Sequence, residues 1–159
     1  MRDFMQTLDF QSPLGIIEIM GDEQGIFSIL FAERKDVQFP KKSDTAATLI
    51  TCQQQLEEYF QGKRFIFTIP FMLEGTPFQQ SVWQALTTVS YGKTASYKDI
   101  ATFIGNEKAV RAVGTTNSKN RLSIVVPCHR IIGTNGKLTG YAGGLWRKEW
   151  LLKHEQRHF

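Results

Sequence analysis

The first 70 residues alternate short apolar runs with polar turns. The runs at residues 4–10, 16–20 and 26–31 have the length and composition of β-strands, and polar, glycine-containing turns separate them. After a polar loop, apolar side chains recur near helical spacing from residue 46 to residue 60, which predicts an amphipathic helix ending before Gly62. A further strand is expected at residues 65–69. Residues 1–70 therefore predict a small α/β domain with an antiparallel sheet and a helix.

From residue 71 onward the apolar positions follow helical spacing. Thr76 is an N-cap residue, Pro77 occupies the first helical position and Gln79 completes a capping box, so a helix begins here. Its predicted buried face consists of Phe78, Val82, Trp83, Leu86 and Val89.

Two shorter helices are expected on either side of Gly105. Ser96 caps the first, and Gly105 ends it. Its apolar positions are Tyr97, Ile100, Ala101 and Ile104. Asn106 is expected to cap the second helix, with an inner face of Ala109, Ala112, Val113 and Thr116 and an outer face of Glu107, Arg111, Thr115 and Ser118. Such a pair of helices predicts a helix-turn-helix whose small side chains allow close approach to a groove.

The C-terminal part predicts a turn, a returning segment and a last helix. Asn135-Gly136 is a strong hairpin-turn signal, so residues 131–141 are expected to fold back as a wing. Residues 143–155 predict the last helix, and residues 157–159 are expected to fray. Residues 71–159 therefore predict a mostly α, winged helix-turn-helix domain.

Charge is distributed unevenly between the two parts. The whole chain carries +4, but residues 1–70 carry −3 and residues 71–159 carry +7. A positive second part favours a polyanionic partner, although charge alone is equally compatible with a solvated surface of mixed charge. A hydrophobic content of 42% and a charged content of 21% are typical of a globular protein.

The two cysteines, Cys52 and Cys128, are too few for a disulfide scaffold and lack the C-x-x-C spacing of a zinc site. Cys52 falls inside the predicted amphipathic helix and is expected to pack in the core. Asp3 and Asp9 lie where a signal peptide needs an apolar centre, and no apolar run approaches membrane-spanning length. We therefore expect a cytoplasmic protein with no metal and no other cofactor.

A thiol, an imidazole and a guanidinium follow one another at Cys128, His129 and Arg130, directly after Pro127. Considered alone, this run is also compatible with a buried strand in which a free cysteine is a small hydrophobe. A reactive thiol would need a base, because a cysteine with a pKa of ~8.5 is mostly protonated at neutral pH. Adjacent side chains on an extended backbone point to opposite faces, so we expect a water between Cys128 and His129 and a carboxylate behind the imidazole.

Three motifs carry a resemblance to a known family: Pro127-Cys128-His129-Arg130, residues 140–144 (GYAGG) and residues 148–152 (KEWLL). Over about residues 76–155 the chain resembles the O6-alkylguanine-DNA alkyltransferases. The resemblance implies a ribonuclease-H-like first domain and a second domain that takes the alkyl group of O6-alkylguanine irreversibly onto Cys128. O4-alkylthymine remains open as a second substrate. Some members hold a structural zinc near the N-terminus, but the Cys and His ligands for it are missing here.

The resemblance also implies roles for individual residues. Glu155 matches the carboxylate at the end of the family's proton relay, which runs from Cys128 through a water to His129 and then to Glu155. Tyr97 matches the phenol that protonates the leaving guanine, although its place on the inner stripe is also compatible with core packing. Asn120 matches the asparagine that braces the active-site turn. The substrate pocket is expected to include Ile131, Tyr141, Ala142 and Lys148.

A base inside a duplex must be flipped out before a thiol can reach it. Arg111 matches the family's finger, which fills the vacated stack from the minor-groove side. Double-stranded DNA containing O6-alkylguanine is the implied partner of a monomer without membrane contact, and the expected DNA contacts are Arg111, Thr115, Ser118 and Arg121. Two residues depart from the family pattern: Arg121 stands where proline is usual, and Thr116 stands where a small alanine is common.

Competing functions remain at this point. One is a winged-helix regulator, although no dimerisation element or set of major-groove readers is evident. Another is an alkyltransferase-like lesion sensor, but in such a sensor the nucleophile position is not cysteine. A third is a cysteine hydrolase, in which the Cys-His pair would serve acyl chemistry.

Overall fold

The computed structural model describes residues 5–158, and the chain divides into two compact units, Met1–Leu73 and Glu74–Phe159. The first unit holds three antiparallel strands in the order β1-β2-β3 and one helix. Its elements are β1 (Gln6–Ser12), β2 (Gly15–Asp22), β3 (Gly25–Phe31) and α1 (Ala47–Phe60). The three strands and the helix agree with the expected pattern; Phe4, placed in the first strand, lies outside the described residues.

Helix α1 packs against all three strands and encloses the core of the first unit. The buried side chains are mostly aliphatic, and they include Leu8, Ile17, Ile19, Ile29, Leu49, Cys52, Leu56 and Tyr59. Cys52 therefore lies in the core as expected, and burial raises the pKa of its thiol to about 12.

The strand expected at residues 65–69 does not form. Phe65 and Ile66 are 49% and 74% exposed, and although Ile69 is buried, residues 65–69 do not pair with the sheet. The side-chain amide of Gln55 instead holds Thr68 through two hydrogen bonds, and only an isolated bridge from Phe71 reaches β3, at Ile26. The prediction was wrong because apolar content alone does not provide a neighbouring strand for the backbone to pair with.

An ion cluster around the buried Asp9 side chain holds the loop that follows β3 in place. Both carboxylate oxygens of Asp9 accept hydrogen bonds of 2.7 Å from Arg34, and Oδ2 also accepts from the backbone N–H groups of Gln38 and Phe39. Arg34 donates to Glu18 as well, at 2.8 Å. Burial alone raises the pKa of Asp9, but the hydrogen bonds outweigh it and leave the pKa below its ordinary value.

The second unit is mostly helical, as expected. Its elements are α2 (Pro77–Leu86), β4 (Ala95–Ser96), α3 (Tyr97–Phe103), α4 (Val110–Ser118), a 3-10 turn (Cys128–Arg130), β5 (Ile131–Ile132) and α5 (Leu145–His158). Helices α2, α3 and α4 pack against one another, and β4 pairs with β5 in parallel. Helices α3 and α4 are the two members of the helix-turn-helix.

The capping box predicted at Thr76 forms with Gln79, and Ser96 forms a second box with Asp99. Asn106 does not cap α4. Its carbonyl accepts from the N–H of Ala109 in a separate turn, and the helix begins at Val110 without a side-chain cap.

The inner face of α4 is also shifted from the prediction. Ala112 is exposed, whereas Val113, Thr116 and Asn117 are buried. Helix α4 begins at Val110, later than expected, so its buried face starts at Val113 rather than at Ala109.

The segment after β5 returns without forming a hairpin. Gly133 and Lys137 close a turn around Asn135-Gly136, with Gly136 at a φ of +82°, but residues 137–140 are irregular. The last helix continues to His158, whose ring Nδ1 contacts the carbonyl of His154 at 2.9 Å, so the expected fraying of residues 157 and 158 is wrong. Phe159 lies outside the described residues.

Among residues 5–158, no helix is long and apolar enough to cross a membrane. The same residues contain no cluster of three or more His, Cys, Asp or Glu side chains placed to bind a metal ion.

Replacing Asp9 with asparagine should lower the free energy of unfolding by about 1–2 kcal/mol, because the N–H groups of Gln38 and Phe39 and the guanidinium of Arg34 lose a charged acceptor. A carboxyl with a lowered folded pKa stabilises the protein above its unfolded pKa of ~3.9 and loses that contribution as the pH falls through the folded value. Urea unfolding of wild type and Asp9→Asn from neutral to acidic pH tests both points. Asp44→Asn, at an exposed position, is the control. Equal stability of Asp9→Asn and wild type at neutral pH would contradict the assignment.

Candidate active site

Cys128 begins a 3-10 turn rather than lying in a strand. Ile124, a non-glycine residue, has a φ of +72°, and this left-handed conformation bends the preceding segment. The alternative of an ordinary buried strand is therefore excluded. Both Cys128 and His129 are buried, at 4% and 0% exposure.

Asn120 and Asn117 brace this turn with their side-chain amides. Asn120 donates to the carbonyl of Val126 at 2.8 Å and to the Cys128 sulfur at 3.2 Å, while its Oδ1 accepts from the N–H of Leu122. Asn117 donates to the Cys128 carbonyl at 3.4 Å. The sulfur is thus held in place by an amide donor, which favours the thiolate over the thiol.

The imidazole of His129 turns away from solvent towards α5. Its Nε2 lies 2.6 Å from Oε2 of Glu155, which is 1% exposed. Its Nδ1 is buried and has no hydrogen-bond partner among the described residues. A carboxylate on one ring nitrogen sets the tautomer, so Nδ1 carries the lone pair that can accept a proton.

Arg130 completes this cluster from the other side. Its Nε donates to Oε1 of Glu155 at 2.8 Å and its Nη2 to Oε2 at 3.1 Å, while Nη1 donates to the carbonyl of Val89 at 2.7 Å. The guanidinium also lies 5.6 Å from the ring centre of Tyr91. Burial alone raises the pKa of Glu155, but the contacts with His129 and Arg130 hold it well below its ordinary value.

Burial is the main influence on the remaining groups. It lowers the pKa of His129, against the opposing effect of Glu155, so His129 is a neutral base at neutral pH. It raises the pKa of Cys128, although the Asn120 hydrogen bond and the charge of Lys148 act in the opposite direction. It lowers the pKa of Lys148 to about 8, while the negative charge of the sulfur opposes that shift. Cys128 is therefore a neutral thiol at neutral pH, and it would need a base to react as a thiolate.

Tyr97 and Lys148 both donate to one backbone carbonyl, that of Thr139, in the segment that follows β5. The Tyr97 hydroxyl donates to the Thr139 carbonyl at 3.1 Å and accepts from the Thr139 hydroxyl at 3.0 Å. The ammonium group of Lys148 donates to the same carbonyl at 2.7 Å and lies 5.9 Å from the Tyr97 ring centre. Tyr97 is half-buried, so its phenol is not part of the core.

The other expected pocket residues have different environments. Ile131 is fully buried behind the 3-10 turn, Tyr141 is 9% exposed and Ala142 is exposed. Burial and the negative charge of the Cys128 sulfur raise the pKa of the Tyr141 phenol well above its ordinary value. Tyr141 therefore remains a neutral phenol beside the nucleophile.

Arg111, Thr115 and Ser118 share the exposed face of α4. The Thr115 and Ser118 hydroxyls donate to carbonyls of their own helix, at 3.2 Å and 2.7 Å. Arg121 is exposed in the bend after the helix. Thr116 is buried on the inner face, and its backbone carbonyl accepts from the Trp83 indole N–H at 3.1 Å.

The sequence predicts no active-site role for Arg130, Asn117, Val89 or Tyr91, although Val89 was expected on a buried helix face. Arg130 was visible as the fourth residue of the Pro-Cys-His-Arg run, and its contact with Glu155 could have been considered once a buried carboxylate was expected. The other three had no signal, because they reach the site only through the tertiary fold.

The two units, with a buried thiol, imidazole and carboxylate in the helical one, define a two-domain protein with a candidate reactive cysteine. The chain belongs to the 6-O-methylguanine DNA methyltransferase family. Residues 7–73 match the family's ribonuclease-like domain, and residues 77–157 match its DNA binding domain. The resemblance seen in the motifs around Cys128 is thereby confirmed.

Relatives match along nearly the whole chain. The methylated-DNA--protein-cysteine methyltransferase of Methanosarcina acetivorans is 47% identical, covering 92% of this chain and 95% of its own. The constitutive methylated-DNA--protein-cysteine methyltransferase of Bacillus subtilis is also 47% identical, with 92% of both chains covered. The crystal structure of Mycobacterium tuberculosis O6-methylguanine methyltransferase is 38% identical with a TM-score of 0.86, covering 98% of this chain and 94% of its own. The M. tuberculosis protein in complex with DNA is 40% identical with a TM-score of 0.85, covering 97% and 93%.

Replacing Asn120 with alanine should raise the pKa of the Cys128 thiol further, because the thiolate loses its amide donor. The buried N–H of Leu122 also loses its acceptor, at a cost of about 2 kcal/mol in unfolding free energy. The pH dependence of Cys128 alkylation by iodoacetamide and urea unfolding measure the two effects. Asn106→Ala, at an exposed asparagine, is the control. An unchanged pH dependence would show that the amide does not stabilise the thiolate.

Proposed function

We propose that this protein repairs DNA by transferring the alkyl group of O6-alkylguanine to Cys128 in a single, irreversible event. The observation that carries the proposal is the buried Cys128 thiol on the same 3-10 turn as His129, whose ring contacts Glu155, in a chain of the 6-O-methylguanine DNA methyltransferase family. A thioether has no easy route back to a thiol, so one molecule repairs one lesion.

The reaction is a displacement at an alkyl carbon. The thiol proton passes through a water to Nδ1 of His129, and Glu155 stabilises the resulting imidazolium. The sulfur then forms a bond to the alkyl carbon as the bond from that carbon to guanine O6 breaks, and the bonding pair leaves with the guanine. Tyr97 gives the leaving base its proton, and the proton held by His129 passes through solvent to restore the Tyr97 phenol. Overall, sulfur exchanges a proton for the alkyl group and guanine gains a proton.

The neighbours of Tyr97 support its role as proton donor. The ammonium group of Lys148 lies 5.9 Å from the centre of the Tyr97 ring and shares the Thr139 carbonyl with the phenol. The shared carbonyl holds the phenol hydroxyl in one place at the start of α3. Lys148 therefore contacts the residue that positions Tyr97, and its charge also favours the Cys128 thiolate.

Double-stranded DNA is the proposed partner, and the flipped nucleotide enters between the Cys128 turn and the segment around Tyr141 and Ala142. Arg111 fills the vacated stack, while Thr115, Ser118 and Arg121 contact the backbone. The exposed face of α4 and the +7 charge of residues 71–159 support this orientation. The protein acts as a monomer in the cytoplasm, where the reducing environment keeps Cys128 a free thiol. O4-alkylthymine is a further proposed substrate.

Incubation with excess methylated oligonucleotide should add the mass of one methyl group to each molecule, on Cys128, and then stop. The buried Cys52, with its pKa raised to about 12, should remain unmodified. Intact-protein mass spectrometry with peptide mapping measures this. Cys52→Ser is the matched control and should retain full uptake. Repeated turnover, or methyl transfer that survives Cys128→Ser, would refute the proposed function.

Arg111→Ala should slow repair of O6-methylguanine in duplex DNA by about tenfold or more, because stabilising a flipped base is worth a few kcal/mol. Its reaction with free O6-benzylguanine should be roughly unchanged, since no base has to be flipped. Single-turnover rates on both substrates test this. Arg157→Ala, which removes an exposed arginine near the end of α5, is the control. Equal losses on both substrates would show that Arg111 does not support flipping.

A further inference from the structure

Arg130 is a buried cation to which the proposed reaction gives no role. It is 7% exposed, and its guanidinium binds both carboxylate oxygens of Glu155 and the carbonyl of Val89. Burying a charged side chain is costly unless it is paired and fully hydrogen-bonded. The site thus contains a complete ion pair directly behind the base.

We propose that Arg130 is a positioning residue: it neutralises and orients Glu155, so that His129 presents an unprotonated Nδ1 to Cys128. The inference deepens the proposed alkyl transfer and rests on it for the identity of the substrate. It concerns the state of the base before the substrate arrives.

The geometry suits this task. A guanidinium has a planar fork that can contact two carboxylate oxygens at once, and here it spans Oε1 and Oε2 of Glu155. Val89 and Tyr91 hold the fork from the far side, through a 2.7 Å hydrogen bond and a ring contact. The backbone N–H of Gly92 donates to Oε1 as well, at 3.3 Å. The carboxylate therefore has one orientation, in which Oε2 faces the imidazole.

The charge balance gives the reason for a cation at this place. With Arg130 present, the Glu155 charge is already balanced, so protonation of His129 gains little electrostatic stabilisation. Without Arg130, a buried carboxylate would be balanced most easily by proton uptake on the imidazole. An imidazolium carries hydrogen on both ring nitrogens and cannot accept another proton at Nδ1.

Other charged or titratable groups face the same cluster. Cys128 precedes His129 on the turn, Lys148 reaches it from α5, and Tyr91 and Tyr141 approach from the two neighbouring loops. Both Arg130 and Lys148 lower the pKa of His129, in the same direction as burial, while Glu155 raises it. Removing Arg130 should therefore raise the pKa of His129, so that protonation begins at a higher pH.

The test compares wild type with Arg130→Met and Arg130→Lys. Ring-nitrogen NMR titration of His129 and the pH dependence of Cys128 alkylation by iodoacetamide are measured on each protein. In Arg130→Met, the His129 pKa and the acid limb of the rate profile should move up by about one pH unit. In Arg130→Lys, which keeps the charge but not the fork, both should stay nearer to wild type than to Arg130→Met.

Matched controls separate this role from a purely structural one. Arg147→Met removes another buried guanidinium, one that donates to the Gly143 carbonyl, and should leave the position of the acid limb unchanged. In a Glu155→Gln background, Arg130→Met should cause no further upward shift, because the two residues act as a unit. A fall in rate by the same factor at every pH, with no shift in the limb, would overturn the proposal.

Wild-type protein provides a test if Arg130→Met does not fold. At neutral pH the ring-nitrogen signals of His129 should be those of a neutral imidazole with hydrogen on Nε2, and an imidazolium would overturn the proposal. Neither NMR nor iodoacetamide requires alkylguanine. Failure of methyl transfer from DNA with the expected His129 behaviour would therefore refute the proposed function alone. An unshifted limb with intact methyl transfer would refute the role of Arg130 alone.

Discussion

The active site depends on the burial of one carboxylate. Glu155 is 1% exposed, and a lone buried charge of this kind would destabilise the fold by several kcal/mol. Glu155 lies on α5, and two other segments stabilise its carboxylate. The 3-10 turn supplies His129 and Arg130, and the loop after α2 supplies the N–H of Gly92. The contact that stabilises the carboxylate also holds the His129 ring in one orientation on the turn that carries Cys128.

The same burial explains how a thiol can be reactive without being permanently ionised. Desolvation raises the pKa of Cys128 and lowers that of Lys148, so each group is shifted towards its neutral form. Asn120 and the Lys148 charge partly offset this for the sulfur. A single-use protein benefits from such a balance, because a thiol is less susceptible to oxidation than a thiolate. In the proposed reaction, His129 takes the proton when a substrate enters.

Local sequence signals predicted local structure well. The Thr76 and Ser96 caps formed because each depends on residues within one helical turn, whereas Asn106 failed because Gly105 and a competing turn preceded the helix. The strand at residues 65–69 failed since pairing needs a partner that apolar content does not reveal. Cys128, His129 and Glu155 were named from motifs, and the structure brings His129 and Glu155 together. Their geometry could not be predicted, because it depends on a positive φ at Ile124 and on contacts between residues about 26 positions apart.

A very short strand pair links the two ends of the proposed reaction. Ala95 and Ser96 pair in parallel with Ile131 and Ile132, directly after the turn that holds Cys128. Ser96 is also the N-cap of α3, so Tyr97 follows immediately at the start of that helix. The backbone pairing therefore fixes where the phenol stands relative to the sulfur, and the Thr139 carbonyl fixes its direction. Because each strand of the pair has only two residues, a change at Ala95 or Ile131 would shift this register. In the proposed reaction, such a shift would disturb proton delivery from Tyr97 to the leaving guanine without altering Cys128, His129 or Glu155.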